Sequence, residues 1–228
     1  INQARAPMGM EKRAHIQTIG AMEEVAAQWQ KVHKRPMQQQ DVDELYAAFV
    51  PLLLKTLADY AALIPGTIAT VDALRAKGIK IGATTGYFTE AMAIVQTAAA
   101  HQGYTPDFSV AATQVSAGRP APWMLYRVMN ELDVYPPQAV VKIGDTKPDI
   151  EEGLNAAVWT IGVAKTGNEI GLNEAEIAAL PAAELAAKRA HAYATLHQVG
   201  AHYVVDSIAD LPAVVDDINA RLARGERP

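Results

Sequence analysis

From residue 67 onward the sequence alternates short apolar runs with stretches of helical spacing, and that alternation admits few folds. The runs fall at 79–83, 108–111, 140–144, 159–164 and 202–206, and the helical stretches at 67–77, 89–102, 123–132, 151–156 and 174–197, with a closing helix after 206. Strands that take turns with helices build a parallel sheet covered on its faces, the α/β class. In such sheets ligands bind beyond the carboxyl ends of the strands. The residues that follow each apolar run are therefore the first candidates for a site.

Residues 1–63 have a different texture. They read as helical throughout, punctuated by Gly9, Gly20, Pro36 and the polar run 38–40, and nothing in them alternates like a strand. The break Ile64-Pro65-Gly66 divides the chain into a helical unit, 1–63, and an α/β unit, 64–228. Met8, Lys12 and His15 stand at i, i+4 and i+7, so a helix over 8–18 puts all three on one face. A lysine beside a methionine on that face reads either as a solvated neighbour of a packing stripe or as a functional amine. Farther on, Leu45, Phe49, Leu52, Leu53 and Leu57 form a stripe that suits a core or a dimer surface.

The acidic end of the strand at 140–144 carries the chemistry most openly. The run V-V-K-I-G ends in Gly144, and Asp145 and Asp149 follow four residues apart with Pro148 between them. Pro148 suits the first turn of a helix, whose positive end favours nearby carboxylates. Hard oxygen ligands of this kind suit Mg²⁺, which takes one or two carboxylates and leaves its other positions to water and substrate phosphate. The bland alternative is a turn with a helix cap. An EF-hand is excluded, because the alternating acids, central glycine and distal glutamate are missing. At the end of 79–83, Thr84-Thr85-Gly86-Tyr87 offers a hydroxyl and backbone N–H groups to an anion, or an ordinary threonine cap. The loop 116–123 presents Arg119, whose fork suits two phosphate oxygens or a surface carboxylate.

Composition narrows the class. With 20 basic against 25 acidic residues the net charge is -5, which argues against a nucleic-acid surface. There is no cysteine, hence no disulfide framework and no thiolate chemistry. The longest apolar stretch, 47–64, is interrupted by Pro51, Lys55 and Asp59, so no membrane span is expected and a soluble, cytoplasmic protein is.

Threonine-glycine at 85 and 86, Arg119, and the aspartates at 145 and 149 follow strands in one βα series. That ordered set resembles motifs two to four of the haloacid dehalogenase superfamily. More specifically, P-M-G-M-E-K-R-A-H at 7–15, G-A-T-T-G-Y at 82–87, A-G-R-P-A-P-W-M at 117–124 and K-I-G-D-T-K-P-D at 142–149 are similar to the phosphonoacetaldehyde hydrolase family. The resemblance implies a Rossmann-like parallel core with a helical cap at 1–63 and a homodimer formed through the cap. It also implies hydrolysis of a small phosphonate aldehyde to acetaldehyde and phosphate with Mg²⁺. On that reading Lys12 forms a Schiff base with the aldehyde, supported by Met8 and His15. Thr85, Gly86, Tyr87 and Arg119 bind the phosphoryl group, Asp145 is a metal ligand, and Asp149 is an acid near the metal.

The chemistry explains the lysine. A carbon–phosphorus bond has no oxygen leaving group to protonate, and an iminium on Lys12 accepts its electron pair instead. One departure from the family pattern stands out: the nucleophilic aspartate of its D-x-x-G-T motif has no counterpart before Lys12. The sequence begins at Ile1, so the expectation is that an upstream segment carries that aspartate on the central first strand. Without it, strands 79–83 and 140–144 lack the neighbour between them, and the chain as it stands does not turn over. The competing expectations are another phosphatase or phosphomutase of the superfamily, or an inactive relative that binds a phosphorylated metabolite.

Overall fold

The computed structural model describes residues 2–228. Its first part is helical: α1 (Asn2–Arg5), α2 (Lys12–Ala21), α3 (Glu23–His33) and α4 (Gln39–Thr56), the last running into a 3₁₀ turn at Leu57–Tyr60. The helix expected over 8–18 begins instead at Lys12. Gly9 takes a φ of 94° and breaks the run, and the Glu11 carboxylate then caps α2 by accepting from the N–H groups of Arg13 and Ala14, each at 2.9 Å.

The series then alternates. It runs α5 (Thr67–Ala76), β1 (Gly82–Thr85), α6 (Thr89–His101), β2 (Phe108–Ala111), α7 (Trp123–Glu131), β3 (Val141–Gly144), α8 (Lys147–Asn155) and β4 (Trp159–Val163). After these come α9 (Glu174–Ala179), α10 (Ala182–Val199), β5 (Tyr203–Val205) and α11 (Leu211–Ala223). The single helix expected over 174–197 is two, because Leu180 turns extended before Pro181, as a residue preceding proline does. The strand expected at 79–83 lies at 82–85. Ahead of it Ile81 N–H donates to the Asp107 carboxylate at 2.7 Å, and Asp107 N–H donates to the Ile81 carbonyl.

Every strand pair is parallel, as the α/β reading requires. β1 pairs with β2, Gly82 opposite Phe108, while β4 lies between β3 and β5, with Val141 opposite Trp159 and Ile161 opposite Tyr203. Among the described residues the two sheets are not hydrogen-bonded to each other. Between the edges of β1 and β3 runs a cleft of about 770 Å³, lined by Gly82, Ala83 and Thr84 on one side and Val141, Lys142 and Ile143 on the other.

β4 shows why the second sheet is stable. Trp159, Ile161 and Val163 pack with Leu211 and Ile218 of α11 on one face, while Gly162 on the other lies against Leu196 of α10. Alternate residues thus face alternate helices, and the strand is buried along its length. In the helical part, Leu57 packs with Phe88 and Ala91, with Leu53 beside them, tying α4 to α6. Leu45 and Leu52 of the same stripe remain exposed. No helix among the described residues is long and apolar enough to cross a membrane.

Leu196 is fully buried and touches both Ile150 of α8 and the β4 backbone side. Leu196→Ala is expected to lower the unfolding free energy by about 2–5 kcal/mol, the usual cost of a buried leucine truncation. Urea denaturation reads it, and a loss below about 1 kcal/mol would show that α10 contributes little to the core.

Candidate active site

A cavity of about 450 Å³ opens where β1 and β3 end, with the helical layer above it. Met8, Lys12, Thr85, Gly86, Tyr87, Arg119, Asp145 and Asp149 all line it, so sequence-distant residues at 8–12, 85–87, 119 and 145–149 meet in one place. Of the residues the sequence nominated, His15 does not line it. It sits one turn behind Lys12, buried, with Nε2 2.8 Å from the Ala4 carbonyl oxygen. Burial lowers its pKa, the Ala4 bond opposes that, and the Lys12 charge adds to it.

Lys12 enters from the first residue of α2. Its Nζ lies 4.0 Å from Met8 Sδ and 5.1 Å from the centre of the Tyr87 ring. Burial lowers the amine's pKa; Glu11 pulls the other way, and the Arg119 charge adds to the lowering. A larger share of free amine near neutrality follows, which is what a nucleophilic lysine requires.

The helical layer and the ends of the strands meet closely at two glycines. A Cβ on Gly86 would lie 2.6 Å from the Met10 carbonyl oxygen, and one on Gly9 would lie 2.2 Å from Thr146 Oγ1. Glycine at both positions is what lets the loop before α2 descend onto the ends of β1 and β3. Arg5, which the sequence reading passed over, also faces the cavity, with its guanidinium lying over Gly171.

The two aspartates have unlike surroundings. Asp149 caps α8 through Thr146, whose hydroxyl (2.5 Å) and N–H (3.2 Å) both donate to Oδ2, while Oδ1 meets Arg119 Nη1 at 3.0 Å and Lys142 Nζ at 2.9 Å. Burial alone would push this carboxyl up; the charges of Lys142 and Arg119 and the Thr146 bond outweigh it and hold the pKa at about 2. Both of its oxygens are therefore engaged by the protein. Asp145 has no cation partner among the described residues, and its Oδ2 accepts only one N–H from another residue, that of Asn168 at 2.9 Å. Burial and the neighbouring Asp149 charge push its pKa up. A carboxylate raised by burial and by a neighbouring carboxylate, with no ion-pair partner among the described residues, is a fitting ligand for a hard cation. No group of three or more histidine or acidic side chains able to hold a metal occurs among the described residues. Such a cation at Asp145 would have to draw its other ligands from water, backbone or phosphate, the usual habit of Mg²⁺.

Arg119 does not wait on a surface loop. It is buried, Nε donates to Glu152 Oε2 at 3.0 Å, and Nη2 donates to the carbonyl (2.8 Å) and hydroxyl (2.7 Å) of Thr84. Its Nη1 also reaches the Gly9 carbonyl of the lid at 3.4 Å. Lys142 and Glu152, its neighbours, were not nominated from the sequence. The available signal was a lone charge inside the otherwise apolar strand V-V-K-I.

Known proteins resemble this chain in sequence and in fold. Residues 3–157 match the family model for haloacid dehalogenase-like hydrolases. The phosphonoacetaldehyde hydrolase of Nitratidesulfovibrio vulgaris is 46% identical over 228 residues, covering 100% of this chain and 81% of the relative. That of Klebsiella pneumoniae is 45% identical over 229 residues, covering 100% of this chain and 85% of the relative. The crystal structure of a phosphonoacetaldehyde hydrolase-like protein from Oleispira antarctica superposes with a TM-score of 0.97 at 44% identity, over 100% of this chain and 82% of that one.

The Lys12 environment has a direct readout. In NMR of ¹³C-methylated lysines its resonance is expected to titrate below the ordinary 10.5, and Glu11→Gln to move that midpoint lower still by removing the charge that opposes burial. A midpoint at or above the ordinary value would contradict the burial seen here.

Proposed function

From the premise that this chain is a hydrolase of the haloacid dehalogenase-like family and belongs with the phosphonoacetaldehyde hydrolases, we propose that it cleaves the carbon–phosphorus bond of phosphonoacetaldehyde. One observation carries the reading: a half-buried lysine with a lowered pKa shares a cavity with Thr85, Gly86, Arg119 and Asp145. Residues 1–63 serve as a cap that brings the amine, and 64–228 as the core that holds the phosphonate.

On this reading the Lys12 amine condenses with the aldehyde, releasing water and leaving an iminium one carbon from the phosphonate. An aspartate carboxylate then attacks phosphorus. The carbon–phosphorus electron pair moves into the iminium, giving an enamine on Lys12 and an acyl phosphate on the aspartate. Protonation of the enamine carbon and hydrolysis return acetaldehyde and the free amine, and water releases phosphate from the aspartate. The cleft between the unpaired edges of β1 and β3 has the place for a further strand, and an aspartate at the end of such a strand would supply the attacking carboxylate. A strand set there would end beside Thr85 and Asp145.

Within the cavity, the Thr85 hydroxyl, held by the Tyr87 N–H at 3.2 Å, and the Gly86 N–H bind phosphoryl oxygens, and Arg119 offsets their charge. Met8 holds the amine against Tyr87, and His15 secures α1 to the lysine helix. Asp145 would hold Mg²⁺, with Asp149 behind it, and the ion would supply charge neutralisation at the phosphoryl group. Two copies would associate through the exposed Leu45 and Leu52 of α4, in the cytoplasm.

The test is chemical capture. Borohydride added to the full-length protein with phosphonoacetaldehyde should leave a reduced adduct on Lys12 and stop turnover. Lys12→Arg should abolish acetaldehyde release, a loss of at least about a thousandfold, since arginine stays protonated and forms no imine. Magnesium-dependent cleavage that survives Lys12→Arg would point to an ester phosphatase of the same family instead.

A further inference from the structure

Behind Arg119 and Asp149 stand two buried charges, Lys142 and Glu152, that the proposed reaction does not use directly. Lys142 projects from β3, between the apolar Val141 and Ile143, into a site where it is 5% exposed. Its ammonium group has three N–H donors, and three acceptors meet them at 2.9 Å each: Asp149 Oδ1, Glu152 Oε2 and Thr84 Oγ1. Glu152, one turn beyond Asp149 on α8, is fully buried. Its Oε2 accepts from both Lys142 and Arg119, while Oε1 has no partner. Two cations and two anions thus close on themselves, with a formal sum of zero.

A buried ion network is poor evidence for stability, because apolar side chains of similar shape fill such space without the desolvation cost. What apolar side chains cannot do is neutralise Asp149 and hold the guanidinium in one orientation. Arg119 alone would face two carboxylates, leaving a net negative charge behind the place where a phosphonate must bind. With Lys142 present, one cation's worth of that charge is cancelled from inside the core.

We propose that Lys142 and Glu152 are positioning residues. Glu152 fixes Arg119 through Nε, and Lys142 balances the carboxylates so that Arg119 keeps its positive character toward the cavity. The proposal rests on the phosphonate reading of the same cavity for the identity of the anion, but its logic needs only a phosphoryl group.

Charge balance makes a prediction that a packing role does not. In the full-length protein, Lys142→Met leaves the ring at −1 and Glu152→Gln leaves it at +1, whereas the double variant returns it to zero. We expect Lys142→Met to weaken binding of inorganic phosphate, measured by calorimetry, and to raise KM more than it lowers kcat, by about tenfold or more. Adding Glu152→Gln to Lys142→Met should restore phosphate affinity above that of Lys142→Met alone, by a factor of about ten. Should Lys142→Met alone fail to fold, Glu152→Gln decides: it should bind phosphate at least as tightly as the double variant, and weaker binding would overturn the proposal. Losses that simply multiply in the double variant, an unchanged phosphate affinity in Lys142→Met, or a double variant that does not fold would each overturn the proposal. A wild-type protein that binds phosphate but releases no acetaldehyde would overturn the substrate assignment instead, and the phosphate affinities of the variants would still judge the ring.

Discussion

The ion pair between Arg119 and the carboxylates of α8 is the joint on which the rest depends. The arginine comes from a loop after β2, its partners Asp149 and Glu152 from the helix after β3, and the hydroxyl that completes its shell from Thr84 in β1. Three separate βα connections are thereby held to one another at the ends of two sheets that share no backbone hydrogen bond. Each contact takes place away from water, where a hydrogen bond to a charge is stronger and an unpaired one costs more. The local arrangement is therefore strongly determined. A side chain that left the group would strand its partners.

That determinacy fits the division of labour between the two aspartates. They are four residues apart and look equivalent in the sequence, yet one is fully committed to the protein and the other is not. Asp149 uses both oxygens to hold a helix start, an arginine and a lysine. Asp145 is buried beside Asp149 with no ion-pair partner among the described residues. The same carboxylate chemistry thus gives one structural anchor and one group that gains from an arriving positive charge.

Much of this was legible beforehand. The alternation after residue 67 gave the parallel α/β architecture, and the strand-end motifs gave Thr85, Gly86, Arg119, Asp145 and Asp149, because those residues follow strands by rule. What escaped were features set by contacts between distant segments. Helix periodicity suggested one helix through Met8, Lys12 and His15, but a glycine with positive φ starts the helix at Lys12 and leaves His15 behind the cavity. Gly9 read as punctuation, whereas its missing side chain is filled by Thr146. Lys142 was overlooked because strand patterns are scored by their apolar members, and a charge among them shows its purpose only when its partners on α8 and β1 are in place.

The contact of Gly86 and Gly9 with the groups opposite them has a mechanical consequence. At Gly86 the neighbour is main chain, which has no rotamers to shuffle, so that contact cannot loosen by degrees as a layer of long side chains can. A side chain at either position would hold the helical layer off the ends of β1 and β3, so the fit between the two layers is set by the absence of two β-carbons.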